Sequence, residues 1–155
     1  MNLTPNSLLV CRDVAARLAG TSLHAGAAQQ MTGLIDATYA EPVDYAGPHP
    51  RGWVYDGMET YPETDQSADQ LSPATTMLTI VTFNYATPVD LREIGHAWRA
   101  ALLKALWGNV DYALYSYAMW PTETHVQDLA QEQPPLVGAV VAFWLLDYGP
   151  LVPGT

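Results

Sequence analysis

From Leu136 to Leu146 every residue except Gly138 is apolar, and such a run must lie where neighbouring structure covers both of its faces. It is far shorter than the ~20 residues a helix needs to cross a bilayer. Its β-branched and aromatic side chains favour extended backbone. Extended to Tyr148, the run predicts a strand central in a sheet. Met77–Tyr85 has the same character and the length of a strand.

Between these two runs the spacing changes. Leu91, Ile94, Trp98, Leu102 and Ala105 recur at helical intervals, with Leu106 extending the stripe and Arg92, His96 and Arg99 on the opposite side. Pro88 announces this helix, Asp90 and Glu93 are expected to form its capping box, and Gly108 closes it. Lys104 falls near the C-terminus, where a cation suits the helix dipole. Burying each large side chain of the stripe is worth roughly 1.5–3 kcal/mol, so the helix is expected to lie on the sheet.

The remaining segments are read with less pattern. A first helix is expected over Ser7–Ala19, capped by Ser7 or Asn6, with Leu8, Cys11, Val14, Ala15 and Leu18 inward and Gly20 as its stop. Residues 21–38 carry little pattern beyond a short helix ending near Gly33. From Glu41 to Pro73 prolines and glycines punctuate an acidic stretch, with Trp53–Tyr61 a candidate strand and Gln66–Pro73 a mobile loop. Val110–Trp120 alternates as one strand that Pro121 ends. Thr122–Gln133 is polar, with one helical turn around His125–Ala130, and Pro134-Pro135 resets the chain. The expected fold class is α+β: one domain, residues 1–155, with a mainly antiparallel sheet packed against an N-terminal helix and a long central amphipathic helix.

Composition narrows the function. Six basic against sixteen acidic residues give a net charge of −10, which excludes binding to nucleic acid through a basic stripe and disfavours an anionic membrane surface. Cys11 is the only cysteine, so there is no internal disulfide and no cysteine-rich metal site. It sits on an apolar stripe and reads as a buried, inert thiol. No phosphate loop, dinucleotide fingerprint, nucleophile elbow or zinc-protease motif is present, and His24, His49, His96 and His125 are scattered. No catalytic, cofactor-binding or metal-binding residue is therefore assigned, and no cofactor is expected. With no secretory or membrane-spanning segment, the chain reads as a soluble product of the cytoplasm.

Only 14% of the residues are charged, yet there are five Trp and nine Tyr. Aromatic side chains pair an apolar body with a polar handle and concentrate at interfaces. They could fill a Tyr-rich core, or face a surface covered by copies of the chain or by partners. The acidic stretch has the same two readings. No basic residue lies between Arg51 and Arg92, so the stretch is either a solvated loop or a segment reaching over a neighbour or into a channel.

The order of elements, carried by Met77–Tyr85, Asp90–Gly108, Val110–Trp120 and Ala139–Tyr148, resembles the tail terminator proteins of long-tailed bacteriophages from about Trp53 to Tyr148. The resemblance implies an α+β subunit that forms a hexameric ring, caps the tail tube, stops its growth and joins the tail to the neck or head. Its implied partners are copies of itself, the tail tube protein, a neck or connector protein and DNA passing through the lumen without specific binding. Its place would be the virion, after synthesis in the host cytoplasm. The chain departs from that pattern in Glu41–Pro73 and in the Pro-rich tail Pro150–Thr155. Interface or lumen candidates on this reading are Trp53, Tyr55, Asp56, Glu59, Glu63, Asp65, Asp69, Tyr115, Tyr117 and Trp120. A different reading is a small α+β enzyme or ligand-binding domain, with an apolar pocket between helix and sheet lined by Tyr112, Tyr115, Tyr117, Trp120 and Trp144.

Overall fold

The computed structural model describes residues 6–19, 21, 33–35, 49–112, 115–129 and 136–151. Two helices, α1 (Ser7–Ala19) and α2 (Pro88–Leu106), accompany six strands: β1 (Gly33–Ile35), β2 (Arg51–Thr60), β3 (Ala74–Tyr85), β4 (Gly108–Tyr112), β5 (Tyr115–Asp128) and β6 (Leu136–Asp147). They form one sheet in the order β1-β2-β3-β6-β5-β4, antiparallel throughout except for the short β1–β2 pair. The fold is therefore α+β, as the sequence predicts.

β6 lies between β3 and β5, and its apolar run is spent on two faces. Val140, Ala142, Trp144 and Leu146 join Met77, Val81 and Phe83 of β3 under the helices. Ala139 and Val141 join Trp53 and Ile80 in a second buried cluster on the other face. The Trp144 indole is fully buried and donates its N–H to Thr79 Oγ1 at 2.9 Å, so its polar atom is not stranded in the core.

α2 enters one turn earlier than its acidic residues suggest. Thr87 is the N-cap, its Oγ1 accepting from the Asp90 backbone N–H at 3.1 Å, and Pro88 occupies the first turn. Asp90 thus stands at the third helical position, and the expected Asp90–Glu93 box is replaced by a Thr87–Asp90 cap. Trp98, Ala101, Leu102 and Leu106 are buried, with Leu91, Ile94 and Ala105 half-buried beside them. Gly95 is buried as well, and a Cβ there would lie 2.4 Å from Val126 Cγ1, so α2 approaches β5 closely at this point. Gly108, with φ at +130°, follows the helix end at Trp107.

α1 matches its expected bounds. Asn6 Oδ1 accepts from the Leu9 N–H at 3.0 Å and caps it. Val10, Cys11, Val14, Ala15 and Leu18 are buried, whereas Leu8 is 38% exposed, since the inward stripe is centred between Val10 and Val14. The Arg17 guanidinium donates to the Ala105 carbonyl, one of the oxygens left open at the end of α2. The short helix expected before Gly33 lies outside the described residues except at its end, where β1 begins. Gly20, residues 41–48 and 130–135, and the tail beyond Leu151 also lie outside them.

The second half departs most from expectation. Val110–Trp120 is not one strand: β4 and β5 form an antiparallel hairpin in which Tyr112 pairs with Tyr115. Nor does Pro121 end β5, which runs on to Asp128 through a register shift between Pro121 and Glu123. A bulge is where a residue without an N–H is tolerated. The helical turn expected from His125 is therefore strand as far as Asp128. Gln66–Pro73 is irregular but tied down. The Gln66 side-chain amide donates to the Pro62 and Ser72 carbonyls, both at 2.9 Å, and Leu71 bridges to Leu151.

Two substitutions check this packing. Trp98→Ala is expected to cost about 3–5 kcal/mol, because its volume is wholly buried, and exposed His96→Ala less than about 0.5 kcal/mol. Urea denaturation of the two variants would measure both, and equal effects would put the wrong face of α2 on the sheet. Gly95→Val is expected to lower stability by about 1–3 kcal/mol through overpacking against Val126.

Candidate interaction surfaces

The predicted site residues separate into buried, engaged and free groups. Trp53 is only 3% exposed, with the Arg51 guanidinium 4.9 Å from its ring centroid. Tyr117 is also 3% exposed. Both are packing residues of the subunit and are not available as interface residues. Tyr55 and Tyr115 are half-buried, and Trp120 is 39% exposed. Trp144, proposed for a pocket wall, is core.

Two of the acidic candidates have internal partners. Asp56 Oδ2 accepts from Ser7 Oγ at 2.6 Å, joining β2 to the start of α1. Glu59 stands just past a bulge in β2, where its Oε1 accepts from Thr75 Oγ1 at 3.0 Å and from the Tyr148 hydroxyl, and its Oε2 from the Tyr61 hydroxyl at 2.8 Å. Partial burial pushes the Glu59 carboxyl upward, but the three hydroxyl donors outweigh it and hold the group below its ordinary value. Burial, then the bond to Glu59, pushes the Tyr148 phenol up to about 12. Glu63, Asp65 and Asp69 are exposed, the first two on a single 3₁₀ turn.

A second polar knot fastens the hairpin. The Tyr117 hydroxyl donates to Asp13 and accepts from Arg17 Nη1 at 3.1 Å. Burial followed by the Asp13 bond raises the Tyr117 phenol, and burial followed by the Asp13 charge raises that of Tyr115 to about 12. Tyr112, Tyr115 and Tyr117 pack in series with their rings tilted by 47° and 35°, the centroids 5.1 and 6.1 Å apart.

Two surface features were not legible as sites beforehand. On the face of the sheet away from the helices, a cleft of about 340 Å³ is bounded by the Pro62–Pro73 segment, Trp120, Leu145 and Asp147. A neighbouring cleft of about 330 Å³ runs over Asn109, Asp111, Ser116 and Ala118, and the two share Asp147 and Gly149. Asp65 lines the first part of this groove, Asp111 the second and Asp147 both, and none of the described residues lining it is basic. The second feature is the outer side of α2. Val89 and Trp107, 62% and 68% exposed, bracket Arg92, His96 and Arg99 along one outward stripe. The residues of the stripe recur at multiples of the helical turn, so the signal was present in the sequence. It reads as an ordinary solvated face until the exposure of its two large apolar ends is known.

Among the described residues no group of three His, Cys, Asp or Glu side chains is placed to hold a metal ion, and no helix is long and apolar enough to cross a membrane. No protein-family model matches the chain, and no curated protein matches it.

The raised phenols fix a pH dependence. Between pH 10 and about 12 the unfolded chain loses these protons before the folded one does, so their stabilisation is whole below pH 10 and falls away as pH rises. Tyr148→Phe and Tyr115→Phe are each expected to flatten this alkaline loss. Urea midpoints followed across that range would show it, and unchanged slopes would mean that these phenols titrate normally.

Proposed function

We propose that the chain is a structural subunit of a ring at the head-proximal end of a phage tail, where it ends growth of the tail tube and joins the tail to the neck. The observation that carries this reading is the exposure of large apolar side chains on separate sides of one small domain: Val89 and Trp107 about α2, Tyr112 on the hairpin, and Trp120 on the opposite face. A subunit enclosed by neighbours on several sides uses such side chains, aromatic ones above all, in its contacts. The α+β fold agrees with what the resemblance implies, and its acidity suits a conduit that does not retain a passing polyanion.

Native mass measurement and electron microscopy of the purified protein, alone and with tail tube protein, test the reading. A closed ring, a hexamer on the resemblance, is expected, and a chain that stays monomeric in both conditions would overturn it.

The lumen role falls to fewer residues than the sequence suggests. Asp56 and Glu59 hold the subunit together and Asp65 lines the groove, leaving Glu63 and Asp69 as exposed candidates. Glu63→Gln with Asp69→Asn is expected to leave ring formation intact and slow DNA ejection from assembled particles. Normal ejection from normal tails would assign both residues to ordinary surface.

A further inference from the structure

The two unassigned surfaces complement one another. Three of the chain's six basic residues, Arg92, Arg99 and Lys104, belong to α2, and two of them stand with His96 on a stripe ended by exposed Val89 and Trp107 and flanked by exposed Glu93. The groove offers the converse: Asp65, Asp111 and Asp147 around a floor that includes Trp120 and Leu145. Neither set makes an ion pair within the subunit among the described residues. The groove side chains Trp120 and Leu145 pair in register on the face opposite the helices, because Leu146 beside them faces the helix-side core. A subunit therefore cannot satisfy its own stripe with its own groove.

Resting on the ring reading above, we infer that α2 of one copy docks its Val89–Trp107 stripe into the Asp65–Asp111–Asp147 groove of the next. The contact is heterologous: each copy presents one stripe and one groove, on opposite sides. Such contacts propagate head to tail and close into a ring when the rotation per copy allows. Apolar ends supply burial, while the guanidinium and carboxylate groups set register and exclude a stripe-to-stripe or groove-to-groove arrangement through like-charge repulsion. Trp120 gives an incoming guanidinium an indole face as well as a carboxylate neighbour.

Reversing the charges tests the pairing in the full chain. Arg92→Glu with Arg99→Glu makes the stripe acidic, and Asp65→Arg with Asp111→Arg makes the groove basic. Each variant alone is expected to associate at least about tenfold more weakly than the unaltered protein, while an equimolar mixture regains assembly with the two alternating. Native mass spectrometry reads both results, and circular dichroism confirms the fold of each variant. Should a reversed variant misfold, Arg92→Gln with Arg99→Gln and Asp65→Asn with Asp111→Asn give the same comparison, each expected to weaken assembly and make it less sensitive to salt. If either altered protein assembles as the unaltered one does, or if the folded mixture fails to reassociate, the pairing is overturned while the ring reading stands. An unaltered protein that remains monomeric with and without tail tube protein overturns the ring itself.

Discussion

The antiparallel pairing of β3 with β6 runs unbroken from Thr75 opposite Leu146 to Tyr85 opposite Leu136, and both strands carry buried side chains on each face. A sheet centre that is apolar on two sides has to be covered on two sides. On one side α1 and α2 supply the cover, with Trp98 and Trp144 as its largest fully buried members. The second side has its own buried cluster about Trp53, Ile80 and Val141. Burial of these side chains, each worth roughly 1.5–3 kcal/mol before the cost of ordering, makes the flanking elements necessary: without helices over Phe83 and Trp144 the pair would expose its whole apolar face.

What could be read from the sequence follows the strength of local patterning. Both helices, β3 and β6 were legible because period and composition agreed over many residues. The hairpin was not. Alternation runs straight through Tyr112-Ala113-Leu114-Tyr115, and no Gly, Pro, Asn or Asp marks the reversal. Pro121 suggested an ending because proline donates no ladder bond, but the register shift beside it removes that requirement. Thr87 rather than Asp90 caps α2 because Pro88 is well suited to the first helical position.

The candidate surfaces were legible only in part. Composition singled out aromatic and acidic residues as candidates, but it could not say which of them the fold consumes. Trp53 and Tyr117 went into packing, and Asp56 and Glu59 into hydrogen bonds. Segregation of charge could emerge only once the sheet was assembled. Asp65, Asp111 and Asp147 are far apart in the chain, and the register of β4, β5 and β6, with the loop after β2, brings them along one groove. The basic residues of α2 are close in sequence, whereas the acidic residues of the groove are not.

The bulge in β5 has a bearing on solubility. β4 pairs only with the first part of β5, Tyr115 to Met119, and beyond it, among the described residues, no strand pairs with the outer side of Trp120–Asp128. Exposed ladder groups of that kind invite any extended polypeptide to add on and are a common origin of fibrils. Here Pro121 offers no amide hydrogen, the irregularity next to it breaks the hydrogen-bonding rhythm, and Glu123 puts a charge on the rim. The outer edge of β5 is thereby blunted against indiscriminate strand addition, so that contact between molecules is left to side chains, which can discriminate, instead of to backbone, which cannot.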